Sequence, residues 1–256
     1  MNEILSLVLG SMQADMARLD SVAMNLANAQ TVGYKRGVAV TLPFAARVER
    51  GVQQGLGVER AEAGPSPMLA SHVDQRPGTL KSTGQALDVA LAGPGWIEVQ
   101  TEAGPAYTRQ GNFRLDPRGR VVTQQGHLVM GVGGEIQLTQ GNPVIDAAGR
   151  VFDATAAAQG GSRGTPLAQL RIVQFDASAQ LERLGDGLVR VHGEPVTVNE
   201  GATQVQQGFL ENSNVQSMQE MVQLLQSVRH LETMQRVATS YDEMLGTSIR
   251  RLGEGS

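Results

Sequence analysis

The chain has 256 residues, 18% of them charged, a net charge of −4 and no cysteine. That length can bury a sizeable core in one large or two small domains. A mildly acidic balance with no basic run longer than Lys35-Arg36 or Arg250-Arg251 argues against nucleic acid as a partner, and the lack of cysteine excludes disulfides and thiolate metal sites.

The N-terminal residues hold a short apolar run without a basic leader, and acidic Glu3 and Asp15 lie in or near it, so no cleaved secretory signal is expected. No stretch approaches the ~20 apolar residues of a membrane span, and no membrane insertion is expected. Leu5, Leu9, Met12, Met16, Leu19, Ala23 and Leu26 instead alternate steps of four and three, the spacing of a heptad seam on a helix. The segment 1–36 is read as this helix and its end. Asn28 and Gly33 favour turn or left-handed backbone, and β-branched Thr31 and Val32 weaken the helix before Lys35. Asn25 and Asn28 either fix axial register through buried hydrogen bonds or cap the helix.

Residues 37–77 lose periodicity and read as an extended connector. From 78 to 200 the period becomes two. LDVAL, WIEV, RVVT, HLVM, EIQL, RVF, QLRIV and LVRV are strand-like runs between glycine-rich turns, which implies a compact antiparallel β domain. DPRGR at 116–120 and DAAGR at 146–150 share one form, an Asp with Gly three residues on, which suits a type I turn whose Asp side chain caps backbone amides. A calcium loop needs several more alternating oxygen ligands, so hairpin turns are the reading. Trp96, heading a strand after a Pro-Gly turn, reads as a core anchor.

Residues 205–252 form the second helical segment. Met221, Leu224, Val228, Leu231, Met234, Ala238, Tyr241, Leu245, Ile249 and Leu252 recur about every 3.5 residues without a proline, over a helix of roughly 60 Å. Gln235 and Asp242 are expected to face solvent while the stripe drifts onto Met234 and Tyr241. Two matched ends around a β middle imply an α+β fold, with long N- and C-terminal α-helices forming a coiled-coil-like stem and a central antiparallel β-rich domain.

Signs of chemistry are sparse. His72, His127, His192 and His230 are scattered without metal-ligand spacing, and His230 beside Glu232 reads as part of a solvated face. No nucleophile elbow or phosphate-cradling loop stands in the right setting. Catalytic, metal and cofactor sites are therefore expected to be none. Convergence of Glu98, Glu102 and Asp116 by folding would leave open a wall-processing enzyme on a helical stalk, and a free-standing coiled-coil adaptor is a third reading.

NLANAQTVGYKRG at 25–37, GTLKSTGQALDVALAGPGWIEVQTEAGPAYTRQGNFRLDPRGRVVTQQGHLVMG at 78–131 and GFLENSNVQSMQEMVQLLQSVRHLETMQ at 208–235 resemble the bacterial flagellar rod and hook family, in the family's order. Within it the motifs look most like the proximal rod type, with the distal rod type second. The resemblance implies a structural, non-enzymatic basal-body subunit in the periplasmic rod. It also implies passage through the flagellar type III export apparatus without a cleaved signal, and partners among proximal and distal rod subunits and copies of itself. The terminal segments would order on assembly. The expected assembly interface comprises Leu5, Leu9, Met12, Met16, Leu19, Asn25, Leu26 and Asn28 near the N-terminus. Toward the C-terminus it comprises Asn214, Val215, Met218, Met221, Leu224, Leu225, Val228, Leu231, Met234, Tyr241, Leu245 and Ile249.

Overall fold

A computed structural model describes residues 2–41, 69–138, 142–153, 165–176, 179, 181–191, 196–197 and 203–253. Most of the expected connector, residues 42–68, lies outside the described residues, as does His192. The chain divides into a unit of residues 1–27, 37–72 and 216–256 and a unit of residues 28–36 and 73–215.

The first unit is built on two helices, α1 (Asn2–Ala27) and α2 (Ser217–Gly253), with strands Gly37–Thr41 and Leu69–Val73 paired in a small sheet. At ~1.5 Å per residue α1 spans about 39 Å and α2 about 55 Å. α2 carries Glu220 in its first turn, where a carboxylate favours the positive end of the helix dipole. α1 packs against α2 and against the Gly37–Thr41 strand.

A coiled-coil stem is not what this packing makes. The residues of α1 that are buried are Val8, Ala14, Asp15, Val22 and Asn25, whereas Leu9, Met16 and Ala23 of the expected seam are exposed. Val8, Asp15 and Val22 also repeat every seven residues, one position earlier, so the buried stripe is turned by about 100° from the expected one. Two of its members are polar. Asp15 faces His230, with Oδ2 2.5 Å from Nδ1, and Asn25 donates to Glu220 Oε2 at 3.0 Å. On α2, Leu224, Val228, Leu231, Met234, Ala238 and Tyr241 are half-buried, Met221 is exposed, and the one fully buried described residue is Glu220. Knobs-into-holes packing needs apolar side chains sunk on both helices. Here polar ties and shallow apolar contact take their place.

The second unit is the β-rich region the alternation implied, and the expected runs coincide with strands except EIQL, of which only Glu135 is in one. Antiparallel neighbours order the main sheet as Leu181–Gly185, Leu188–Val191, Gly104–Thr108, Trp96–Thr101, Leu128–Gly131, Val121–Val122 and Arg114–Leu115. Ile172–Gln174 pairs with Trp96–Thr101 through Ile97 and Trp96. Val144–Ile145, Arg150–Phe152 and Ala168–Gln169 make a three-stranded sheet. Residues shortly before α2 also belong here: Gln204–Gln207 pairs with Val89–Ala92, and Phe209–Glu211 with Leu80–Ser82.

Both faces of the main sheet are covered, so successive side chains enter different cores. Ile97, Ala106 and Leu188 join the larger core with Val99, Val129 and Phe113. Their neighbours Trp96, Tyr107 and Val189 join a second core around Phe175. Phe175 lies edge-on to Tyr107 with centroids 4.8 Å apart, and 6.5 Å from Trp96, which makes Trp96 the anchor its position implied. Each fully buried Val, Leu, Ile or Phe contributes about 1.5–3 kcal/mol.

The two Asp-Gly turns have the expected form. Asp116 Oδ1 accepts the amides of Arg118 (2.8 Å) and Arg120 (2.9 Å), and Asp146 Oδ1 those of Ala148 (3.0 Å) and Arg150 (2.9 Å). Gly119 and Gly149 take φ of 76° and 78°, the left-handed region that closes each turn. Arg120 and Arg150 fold back onto the same carboxylates at 2.7 and 2.8 Å.

Candidate assembly interface

The helix faces supply the surface on which a structural role would rest. On α2, Met218, Met221, Val222 and Leu225 follow i, i+3, i+4, i+7 spacing and are all exposed, Met218 at 76% and Leu225 at 57%, with Val237 and Met244 further along. On α1, Leu9, Met16 and Met24 are exposed at one-heptad intervals or close to it. A single exposed apolar residue needs no explanation, but repeated large ones along a helix mark a contact surface.

The other expected interface residues fall in several settings. Met12, Leu19, Leu26, Leu224, Val228, Leu231, Met234 and Tyr241 are half-buried within their unit. The side chains of Leu5, Leu245 and Ile249 lie outside the described residues. Asn25 is fully buried and brackets Gly37, accepting its amide and donating to its carbonyl, each at 2.8 Å. Asn28 accepts from the Thr31 hydroxyl at 3.2 Å in the turn after α1. Asn214 accepts the Arg36 amide at 2.6 Å and donates to the carbonyls of Asp74 (3.0 Å) and Arg76 (2.9 Å). Val215 is half-buried beside it in sequence.

Sequence reasoning missed the most heavily buried charges. Glu211, 1% exposed, accepts from Lys35 Nζ at 2.6 Å, Arg109 Nη1 at 3.1 Å and the Gly78 amide at 2.7 Å. Lys35 and Arg109 are each 4% exposed. Burial, the largest effect, pushes both cations below their ordinary range, and Glu211 opposes it. Gly33 holds the segment in place, its amide on the Glu211 carbonyl at 2.7 Å and its φ at 66°. A Cβ there would meet the Arg109 backbone at 2.4 Å, so only glycine fits. Arg183 bonds the Tyr34 hydroxyl and the Lys35 carbonyl and lies over the Tyr34 ring. No local signal announces this cluster. Asp15 and Glu220 were missed too, and Asp15 had one signal, its heptad spacing from Val8 and Val22.

The acids considered for glycoside chemistry do not share a site. Glu98 pairs with Arg171 Nε at 3.1 Å, and Asp116 is committed to its own turn. Glu102 lines a cavity of about 700 Å³ with Arg120, His127, Asp186 and Arg190. His230 is exposed, as expected, and its ring also reaches Asp15. Among the described residues no group of three or more His, Asp or Glu is placed to hold a metal ion. None of the described helices is long and apolar enough to cross a membrane.

Two family models match the chain. The flagellar hook protein FlgE/F/G D1 domain covers residues 90–155, within the β unit, and the flagellar basal body rod FlgEFG protein C-terminal covers 206–251, which includes nearly all of α2. The flagellar basal-body rod protein FlgF of Rhizobium meliloti is 32% identical over 97% of this chain and 97% of its own length. FlgF of Mesorhizobium japonicum is 31% identical over 96% and 98% of the two chains. The rod protein FlgG of Agrobacterium fabrum is 31% identical over 97% and 98%. With end-to-end likeness of this order to both FlgF and FlgG, the chain belongs to the flagellar basal-body rod protein family.

Proposed function

We propose that this chain is a structural subunit of the proximal flagellar rod, working by assembly and not by catalysis. The observation that carries the reading is the exposed apolar stripe Met218, Met221, Val222 and Leu225 on α2, matched by Leu9, Met16 and Met24 on α1. Copies of this chain and other rod subunits would bury those stripes, and the half-buried faces of both helices would deepen on contact. Head-to-tail contacts that do not close on themselves build a helical filament. Because exposed apolar helix surface gains most of its stability when it is covered, ordering of the ends is coupled to docking. The names of the relatives support location in the basal body; passage through the flagellar export apparatus and contact with proximal and distal rod subunits extend that reading.

FlgG is the second reading, favoured by a 31% identical FlgG over nearly the same span as the 32% identical FlgF. Expression in two motility-defective strains, one lacking FlgF and one lacking FlgG, separates them. Rescue of the first alone supports the proximal assignment, rescue of the second alone the distal one, and a wild-type basal body lacking this protein would refute both.

A further inference from the structure

We infer that Glu211 is a folding gate, holding the β unit open until the chain has been delivered as far as its 211th residue. Its carboxylate is the meeting point of groups from much earlier in the chain: Lys35, Gly78 and Arg109 lie 176, 133 and 102 positions before it. Lys35 and Arg109 are buried cations, and an uncompensated buried charge is strongly disfavoured. The nearby acid Asp74 is taken up by Arg76, and Asp88 by Thr83. Asp74 attracts Lys35 only through space, so until Glu211 arrives neither cation has the carboxylate that bonds it in the folded unit. The strands that carry it close the unit as well, since Gln204–Gln207 and Phe209–Glu211 cover Val89–Ala92 and Leu80–Ser82.

Arg109 ties this cluster to the second core, its guanidinium 5.8 Å from the Trp96 ring centroid. Native packing of Trp96 therefore requires Arg109 to be neutralised and sunk. A chain delivered N-terminus first keeps most of its β sequence extended, and this ordering holds whether or not the protein is exported.

The full chain contains one tryptophan, so refolding from urea can be followed by Trp96 fluorescence alone. The gate requires Glu211→Gln to refold at least about tenfold more slowly than the parent, because the contact is already made in the transition state. Adding Lys35→Met and Arg109→Met, which removes both cations, should recover most of that rate. Refolding of Glu211→Gln at the parental rate, with the whole effect on unfolding, would overturn the gate and leave a late-closing clamp. If Glu211→Gln does not fold, the triple variant decides: return of native Trp96 emission supports the gate, and its failure to return overturns it.

Discussion

One anion serves two buried cations, and this makes substitutions in the cluster unequal. With Lys35, Arg109 and Glu211 all charged, the group carries one net positive charge. Glu211→Gln keeps the shape and an acceptor for the Gly78 amide but leaves two cations, each 4% exposed, with no carboxylate bonded to either. Removing one partner of a buried pair costs about 3–5 kcal/mol. Lys35→Met leaves Arg109 and Glu211 matched one to one, and the Arg76 carbonyl that Lys35 contacted keeps its bond from Asn214. That substitution should therefore change stability by less than about 1 kcal/mol, since the lost charge-assisted bond is offset by the avoided burial of a charge. Urea unfolding read by Trp96 fluorescence measures both. At a slope of about 2 kcal/mol per molar, Glu211→Gln should lower the midpoint by roughly 2 M and Lys35→Met by less than about 0.5 M. Equal losses in the two variants, or a loss below about 1 kcal/mol for Glu211→Gln, would refute the idea of one shared anion.

The cluster also sets a response to pH. Lys35 titrates below its unfolded value because burial outweighs the attraction of Glu211, so between the two values the unfolded chain binds more protons and stability rises with pH. The rise should appear in alkaline urea titrations and vanish in Lys35→Met. The Asp-Gly turns act at the other end of the scale. The Arg120 amide, then its guanidinium, hold the Asp116 carboxyl below the ordinary range, and at Asp146 burial works the other way but is outweighed by the Arg150 and Ala148 contacts. Their contribution is complete above the ordinary carboxylate value of about 4 and is lost as pH falls through the lowered values, so Asp146→Asn should blunt acid unfolding of the β unit. Phe175→Ala, which removes the ring against Tyr107 and Trp96, should cost about 3–5 kcal/mol and shift Trp96 emission toward that of the unfolded chain.

Much of the fold is written locally. Alternation placed strands at WIEV, HLVM and LVRV because a half-buried strand shows its two faces every second residue, and the Asp-Gly spacing fixed two turns because only a short acceptor and a glycine fit there. The termini read as helices for the same reason. Their packing did not, because α1 carries two heptad stripes one residue apart, and the more apolar one, with Leu9 and Met16, is the one left exposed. Polar Asp15 and Asn25 occupy the inner face, and apolar periodicity marks Asp15 only through its heptad spacing from Val8 and Val22. The strands at Gln204–Gln207 and Phe209–Glu211 were absorbed into the helical segment, although QVQQ alternates, because Val205 is its single apolar residue. The ion cluster joins residues far apart in sequence, and no local pattern encodes such a meeting. Of the candidate interface, the half-buried stripe of α2 and the exposed Met218, Met221 and Leu225 were all visible as periodic apolar residues, but which of them face outward depends on packing.

On the proposed function, neighbouring rod subunits cover the exposed faces of α1 and α2. Leu225→Asp tests it most directly, since Leu225 is 57% exposed and its loss should leave circular dichroism and Trp96 emission of the purified protein unchanged. In a strain lacking the native FlgF, this variant should be made and folded yet absent from isolated basal bodies, with motility lost. Incorporation at the parental level and normal swimming would contradict it.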